Sequence, residues 1–175
     1  AVIAAVGIFI YINMFERGPK EDGAGDVKPA LFTFSRDAAR RVEINNNGLL
    51  IVIERKGKDW KVTRPQEIRT NQQSAEQLVF ILSEFQADRK IEDKAKDLKI
   101  YGLDKPSLTV EVTAKGNKKY SFKAGNRTPV AMSYYAEGMP PGSVYEVPSE
   151  NIRPFMSGLD FLRDKSIADL QFDDA

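Results

Sequence analysis

A two-residue rhythm of apolar and polar side chains, broken at glycine-bearing turns, restricts this chain more than any other feature. Leu108, Val110 and Val112 alternate with Thr109, Glu111 and Thr113; after Lys115-Gly116-Asn117-Lys118 the rhythm resumes at Tyr120, Phe122 and Ala124. Successive strand side chains point to opposite faces, so such runs bury one face and wet the other, as an antiparallel hairpin does. Val42-Glu43-Ile44 and Leu49 to Arg55 flank Asn45-Asn46-Asn47-Gly48, whose Asn-Gly pair tolerates positive φ, and read as a second hairpin. Lys56-Gly57-Lys58-Asp59 then turns into a third strand at Trp60-Lys61-Val62-Thr63, stopped by Pro65.

The rhythm changes after Thr70-Asn71, where Leu78, Ile81, Leu82 and Phe85 have helical spacing; the helix is capped by Asn71, or by a Ser74/Gln77 box if it starts later. Leu31-Phe32-Thr33-Phe34 is a short alternating run, Ala87 to Ile91 a return strand, and Leu98, Ile100 and Leu103 are available to cover a sheet edge. Ser133-Tyr134-Tyr135-Ala136 and Val144-Tyr145-Glu146-Val147 are two more strands, and Ser149 is placed to cap a helix through Phe155, short or kinked at Pro154. Strands followed by a helix thus occur twice. The expected class is α+β, an antiparallel sheet with helices on one face, built from a duplicated β-β-β-α unit.

Residues 1–15 carry no charge and one strongly polar side chain, Asn13. As a helix they would cover roughly 22 Å against a hydrocarbon layer of about 30 Å, so the expectation is an N-terminal transmembrane helix that begins upstream of Ala1. A cleaved signal peptide fits less well, because no Ala-x-Ala pattern precedes Glu16-Arg17. Residues 16–30 read as a flexible Gly- and Pro-containing linker, 31–167 as an extracytoplasmic domain, and 168–175 as an acidic tail in which Leu170 and Phe172 alternate with polar residues.

Composition removes much chemistry. The chain has neither cysteine nor histidine, which excludes disulfides, thiolate nucleophiles, histidine bases and zinc sites of the usual kind. Twenty-six Lys+Arg against 25 Asp+Glu leave a net charge of +1, which argues against nucleic-acid binding. There is no P-loop and no Gly-x-Gly-x-x-Gly run, and the acidic residues Glu92, Asp93, Asp97, Asp173 and Asp174 lie in solvated stretches. No catalytic residue, cofactor or metal is expected. Asn126-Arg127-Thr128 matches a glycosylation triplet, but Pro129 follows it directly.

Two surface candidates remain. Tyr134, Tyr135, Met139, Tyr145 and Phe155, beside Pro140 and Pro141, could form a partner-binding patch, or else sit half in the core and half on a sheet face. Lys115, Lys118, Lys119 and Lys123 could meet anionic lipid headgroups, or serve as edge lysines that discourage aggregation.

The order Asp59-Trp60-x-x-Thr63-x-Pro65, Tyr101-Gly102-Leu103-Asp104-x-Pro106, Ala124-Gly125-Asn126, Val144-Tyr145-x-Val147 and Leu162-Arg163-x-Lys165 resembles the bacterial domain of unknown function 4340 family, over roughly residues 31–167. The resemblance implies a single-pass protein of the bacterial inner membrane with a periplasmic domain. It also implies an accessory role beside ABC-type transporters, with no catalytic residues. The expected function is therefore a non-catalytic, membrane-anchored accessory or structural subunit. Its partners would be an integral membrane protein complex and, through the N-terminal helix, the lipid bilayer. The alternatives are a lipid- or glycan-binding carrier with an apolar cavity, and an oxygen-ligand metallohydrolase with three converging carboxylates.

Overall fold

A computed structural model describes residues 28–129, 132–138 and 140–166. The expected anchor, the linker up to residue 27, the acidic tail and Met139 lie outside the described residues. Eight strands, β1 (Ala39–Asn46), β2 (Leu49–Lys56), β3 (Asp59–Arg64), β4 (Arg89–Glu92), β5 (Leu108–Ala114), β6 (Lys119–Arg127), β7 (Ser133–Glu137) and β8 (Val144–Pro148), form one sheet ordered β3-β2-β1-β5-β6-β7-β8-β4. Every junction is antiparallel. The helices are α1 (Gln72–Ser83), α2 (Ser149–Ser157) and the short α3 (Leu159–Leu162). The class is α+β, as the alternation predicts.

β1 and β5 meet at the centre, and each begins a meander that runs outward, β1-β2-β3 one way and β5-β6-β7-β8 the other. The two runs are unequal: the second has four strands before its helix, and β4 crosses from the first run to the far edge beside β8. One face of the sheet carries Val42 and Ile44 of β1, set opposite Ile53 and Ile51 of β2 and Val112 and Val110 of β5. Phe122, opposite Val110, continues the row and stacks on Phe85 with centroids 4.3 Å apart. Phe155 of α2 meets Phe122 edge-on at 5.7 Å, so both helical regions seal the same face around one aromatic seam.

Local signals explain the elements. Asn47 and Gly48 both have positive φ, which makes the two-residue turn that matches strand twist. Asn71 caps α1 by accepting the Ser74 N–H at 3.0 Å, and Ala75, Leu78, Val79 and Leu82 are buried. The outer edge of β3 is closed by side chains: Gln72 accepts the Trp60 N–H at 2.7 Å and donates to the Trp60 carbonyl at 2.8 Å, while Thr70 Oγ1 accepts the Val62 N–H.

Two local expectations are corrected, and one alternating run serves packing alone. Leu31 to Phe34 form no ladder strand; Leu31 N–H donates to the Phe85 carbonyl, and Phe32 and Phe34 insert into the aromatic seam, because packing outweighs pairing there. Ser149 does not cap α2. β8 runs straight into the helix, Pro148 occupies the cap position, and the Ser149 hydroxyl donates to the Met132 carbonyl instead. Residues 93–107 cover a face and not an edge: the chain leaves β4 at the rim and must reach β5 at the centre, so it crosses the outer face of β8, β7 and β6.

Candidate functional site

Of Tyr134, Tyr135, Met139, Tyr145 and Phe155, the four that the structure describes do not come together on the surface. Tyr134, Tyr145 and Phe155 are buried on the helix-covered side. Tyr135 points to the opposite face, where its ring meets Tyr101 edge-on at 5.0 Å. Strand parity is the reason: neighbours 134 and 135 of β7 must face opposite ways. Met139 lies outside the described residues. Of the four lysines, Lys119 and Lys123 are bound to Glu111 and Glu137, each at 2.7 Å, so they do not form a free basic stripe.

The outer face is the surface that the helices leave open, and over β2, β1, β5 and β6 it is a lattice of charge. Arg41 bridges Glu43 on its own strand and Glu54 on β2, and Glu54 also meets Lys56 at 3.1 Å. Glu43 stands opposite Glu111, a like-charge pair that would destabilise the sheet alone; Arg41 on one side and Lys119 on the other neutralise it. The consequences appear in the titrating groups. Lys56, then Arg41, hold the Glu54 carboxyl below its ordinary value, and Glu111 raises Lys119.

Over β6 to β8 the outer face is covered by the 93–107 crossover. Ala95 N–H donates to the Gly142 carbonyl, Tyr101 lies on Tyr135, and its hydroxyl donates to Glu92 at 2.8 Å, which raises the Tyr101 pKa. Leu103, within this segment, is buried. The crossover backbone rests directly on Gly125. A Cβ there would enter the Tyr101 carbonyl oxygen and lie 2.8 Å from the Gly102 carbonyl carbon. Gly102 has φ +68°, and a Cβ on it would sit 2.6 Å from Asn126 Cγ. The Tyr-Gly-Leu-Asp and Ala-Gly-Asn motifs are therefore the two halves of one contact.

The roof also buries two carboxylates. Glu137 accepts from Lys123 and, on its other oxygen, from the Gly142 N–H at 2.8 Å; Glu146 accepts from Arg89 Nε at 2.8 Å. Each has a fixed cationic partner, the arrangement of a structural pair. Residue reading singled out neither of them, nor Arg41, Glu43 and Glu54, although strand parity places all five on the outer face. Among the described residues no group of three or more acidic side chains is arranged to hold a metal, and no helix is long and apolar enough to cross a membrane. A concavity of about 610 Å³ is an open groove between residues 33–37 and α1 that includes Arg36, Arg55 and Glu76.

The pattern that defines the domain of unknown function DUF4340 matches residues 60–175. It covers more than half of the chain, and the chain belongs to that family. The match begins at Trp60, so β1 and β2 lie outside it, although the motif resemblance is drawn from residue 31. No curated protein and no solved structure matches the chain.

Proposed function

We propose that this member of the DUF4340 family is a non-catalytic accessory or structural subunit that binds protein partners in a larger membrane complex, of ABC-transporter type. Residues 1–15 would anchor it as a single pass in a bacterial inner membrane, with residues 31–167 on the periplasmic side. The observation that carries this reading is the face of β2, β1, β5 and β6 that no described segment covers, where Lys56, Glu54, Arg41, Glu43, Glu111 and Lys119 are joined by ion pairs. The helices use the other face entirely for the core. A lattice of mixed charge with no net sign suits a complementary protein surface better than an anionic bilayer or nucleic acid, because complementarity of this kind selects partners. An anchor would confine the domain near its partner and raise the effective concentration.

The carrier alternative calls for an apolar cavity between sheet and helices. That space holds the Phe32, Phe85, Phe122 and Phe155 rings in mutual contact. The test is extraction of the full chain from its native membrane in mild detergent, with mass identification of co-purifying proteins. A Glu43→Lys/Glu111→Lys variant serves as comparison. Near-stoichiometric membrane partners that the variant loses support the reading. A chain recovered alone, or with a bound lipid or glycan, refutes it.

A further inference from the structure

The sequence spacing places Ser149, Arg153 and Ser157 at i, i+4 and i+8, on one stripe of α2. That stripe forms one wall of a cleft of about 220 Å³, whose other walls include Arg127 at the end of β6 and Tyr134 of β7. Its charged lining is two arginines with no carboxylate, and among the described residues neither arginine is ion-paired. Arg127 is nonetheless held in place: Nε donates to the Tyr134 hydroxyl at 3.0 Å, and the guanidinium lies over the Tyr134 ring at 5.3 Å. This leaves its terminal N–H groups and the phenolic proton free to donate outward. Glu150, the acid nearest to Arg153 in sequence and about one turn before it on the helix, does not line the cleft, and its charge acts on Lys28.

We propose that this cleft binds a phosphate group, gripped by Arg127 and Arg153, with Tyr134 and Ser157 hydroxyls as further donors. Guanidinium groups match phosphate oxygens bidentately. Donors arriving from β6, β7 and α2 suit a tetrahedral oxoanion better than a planar carboxylate, which offers two oxygens in one plane. The larger groove near α1 is different in kind. There Arg55 is 3.8 Å from Glu76, and the Asp37 and Glu84 carboxylates share the lining with Arg36.

The test is an NMR titration of the full chain in maltoside micelles, which carry no phosphate, following the Nε–H signals of Arg127 and Arg153. Inorganic phosphate is added against chloride at matched ionic strength. Separate samples are doped with phosphatidylglycerol or with an uncharged glycolipid. Saturable shifts with inorganic phosphate, weakened about tenfold or more in Arg153→Gln, support the site with free phosphate as its source. Saturation by phosphatidylglycerol at lower concentration, without response to the glycolipid, supports a lipid headgroup as the source. Arg153 makes no ion pair that would be lost, so the variant folds as the parent does, and Arg127→Lys should retain part of the response. Shifts equal to those in chloride, or unchanged in Arg153→Gln, overturn the proposal.

Discussion

Replacing Gly125 by alanine tests the contact on which the outer roof depends. In an ordinary strand, Gly→Ala stabilises a protein by about 0.4–1 kcal/mol, since it lowers the entropy of the unfolded chain. Gly125 is not among the glycines with positive φ, so its backbone does not by itself oppose the change. What opposes it is main chain: the new Cβ would enter the Tyr101 carbonyl oxygen and come within 2.9 Å of the Gly102 carbonyl oxygen. Neither atom can rotate away as the end of a side chain can, so the crossover must lift. Overpacking of this kind costs about 1–3 kcal/mol. Lifting also loosens Leu103, worth roughly 1.5–3 kcal/mol when fully buried, and the Tyr101–Tyr135 edge contact, worth roughly 0.5–1.5 kcal/mol.

Part of that loss is recovered if only the segment shifts, so we expect a net destabilisation of about 3 kcal/mol. For a chain of this size it corresponds to a fall of roughly 6–12 °C in the unfolding midpoint. The assay is thermal or urea unfolding followed by the fluorescence of Trp60, the one tryptophan, which is fully buried. Amide exchange should rise first in residues 93–107. A Gly125→Ala protein as stable as the parent, or more stable, would refute the reasoning, because the entropy term alone would then decide the sign.

Three further changes follow from the same geometry. Gln72→Ala uncovers both Trp60 backbone groups at the β3 edge; we expect a loss of about 1–3 kcal/mol in urea unfolding and concentration-dependent association by light scattering, where an unchanged monomer would count against the capping role. Phe122→Ala removes the ring shared by Phe85 and Phe155 and should cost about 3–5 kcal/mol by the same unfolding assay. Tyr101→Phe tests the bond to Glu92: because the folded tyrosine titrates above its ordinary value, its stabilisation is complete below about pH 10 and is lost as pH rises through the folded value. The stability gap between parent and Tyr101→Phe should accordingly close in alkali, and a gap that persists there would refute the assignment.

The strands were legible because each carries its own evidence. Asn47-Gly48 and Lys115-Gly116-Asn117-Lys118 mark turns, and the apolar members of β5 and of β6 each share a parity. Leu31 to Phe34 show the limit of such evidence: alternation records that Phe32 and Phe34 are buried, but not whether a neighbouring strand supplies hydrogen bonds. Ser149 misled because a hydroxyl before a helix has rival uses, and the Met132 carbonyl lies within its reach. The order of strands was beyond local reading. Nothing in Arg89 to Glu92 says that this strand pairs with Val144 to Glu146, more than fifty residues later.

The same distinction separates the patch that did not form from the cleft that did. Tyr134 and Tyr135 are adjacent in sequence and similar in chemistry, yet parity alone places one in the helix-covered core and the other under the crossover, so composition suggested a cluster that the pleat divides. Ser149, Arg153 and Ser157 are separated in sequence and unlike in chemistry, yet the helical repeat aligns them. Only the pairing of β6 with β7 then brings Arg127 opposite Tyr134 and closes the cleft. A site made by one element's period can be read from a sequence; one that also needs two strands in register becomes visible when the register is known. For this chain the phosphate cleft is of the second kind, and so is the charge lattice, whose Arg41–Glu54 and Lys119–Glu111 pairs exist only across strand junctions.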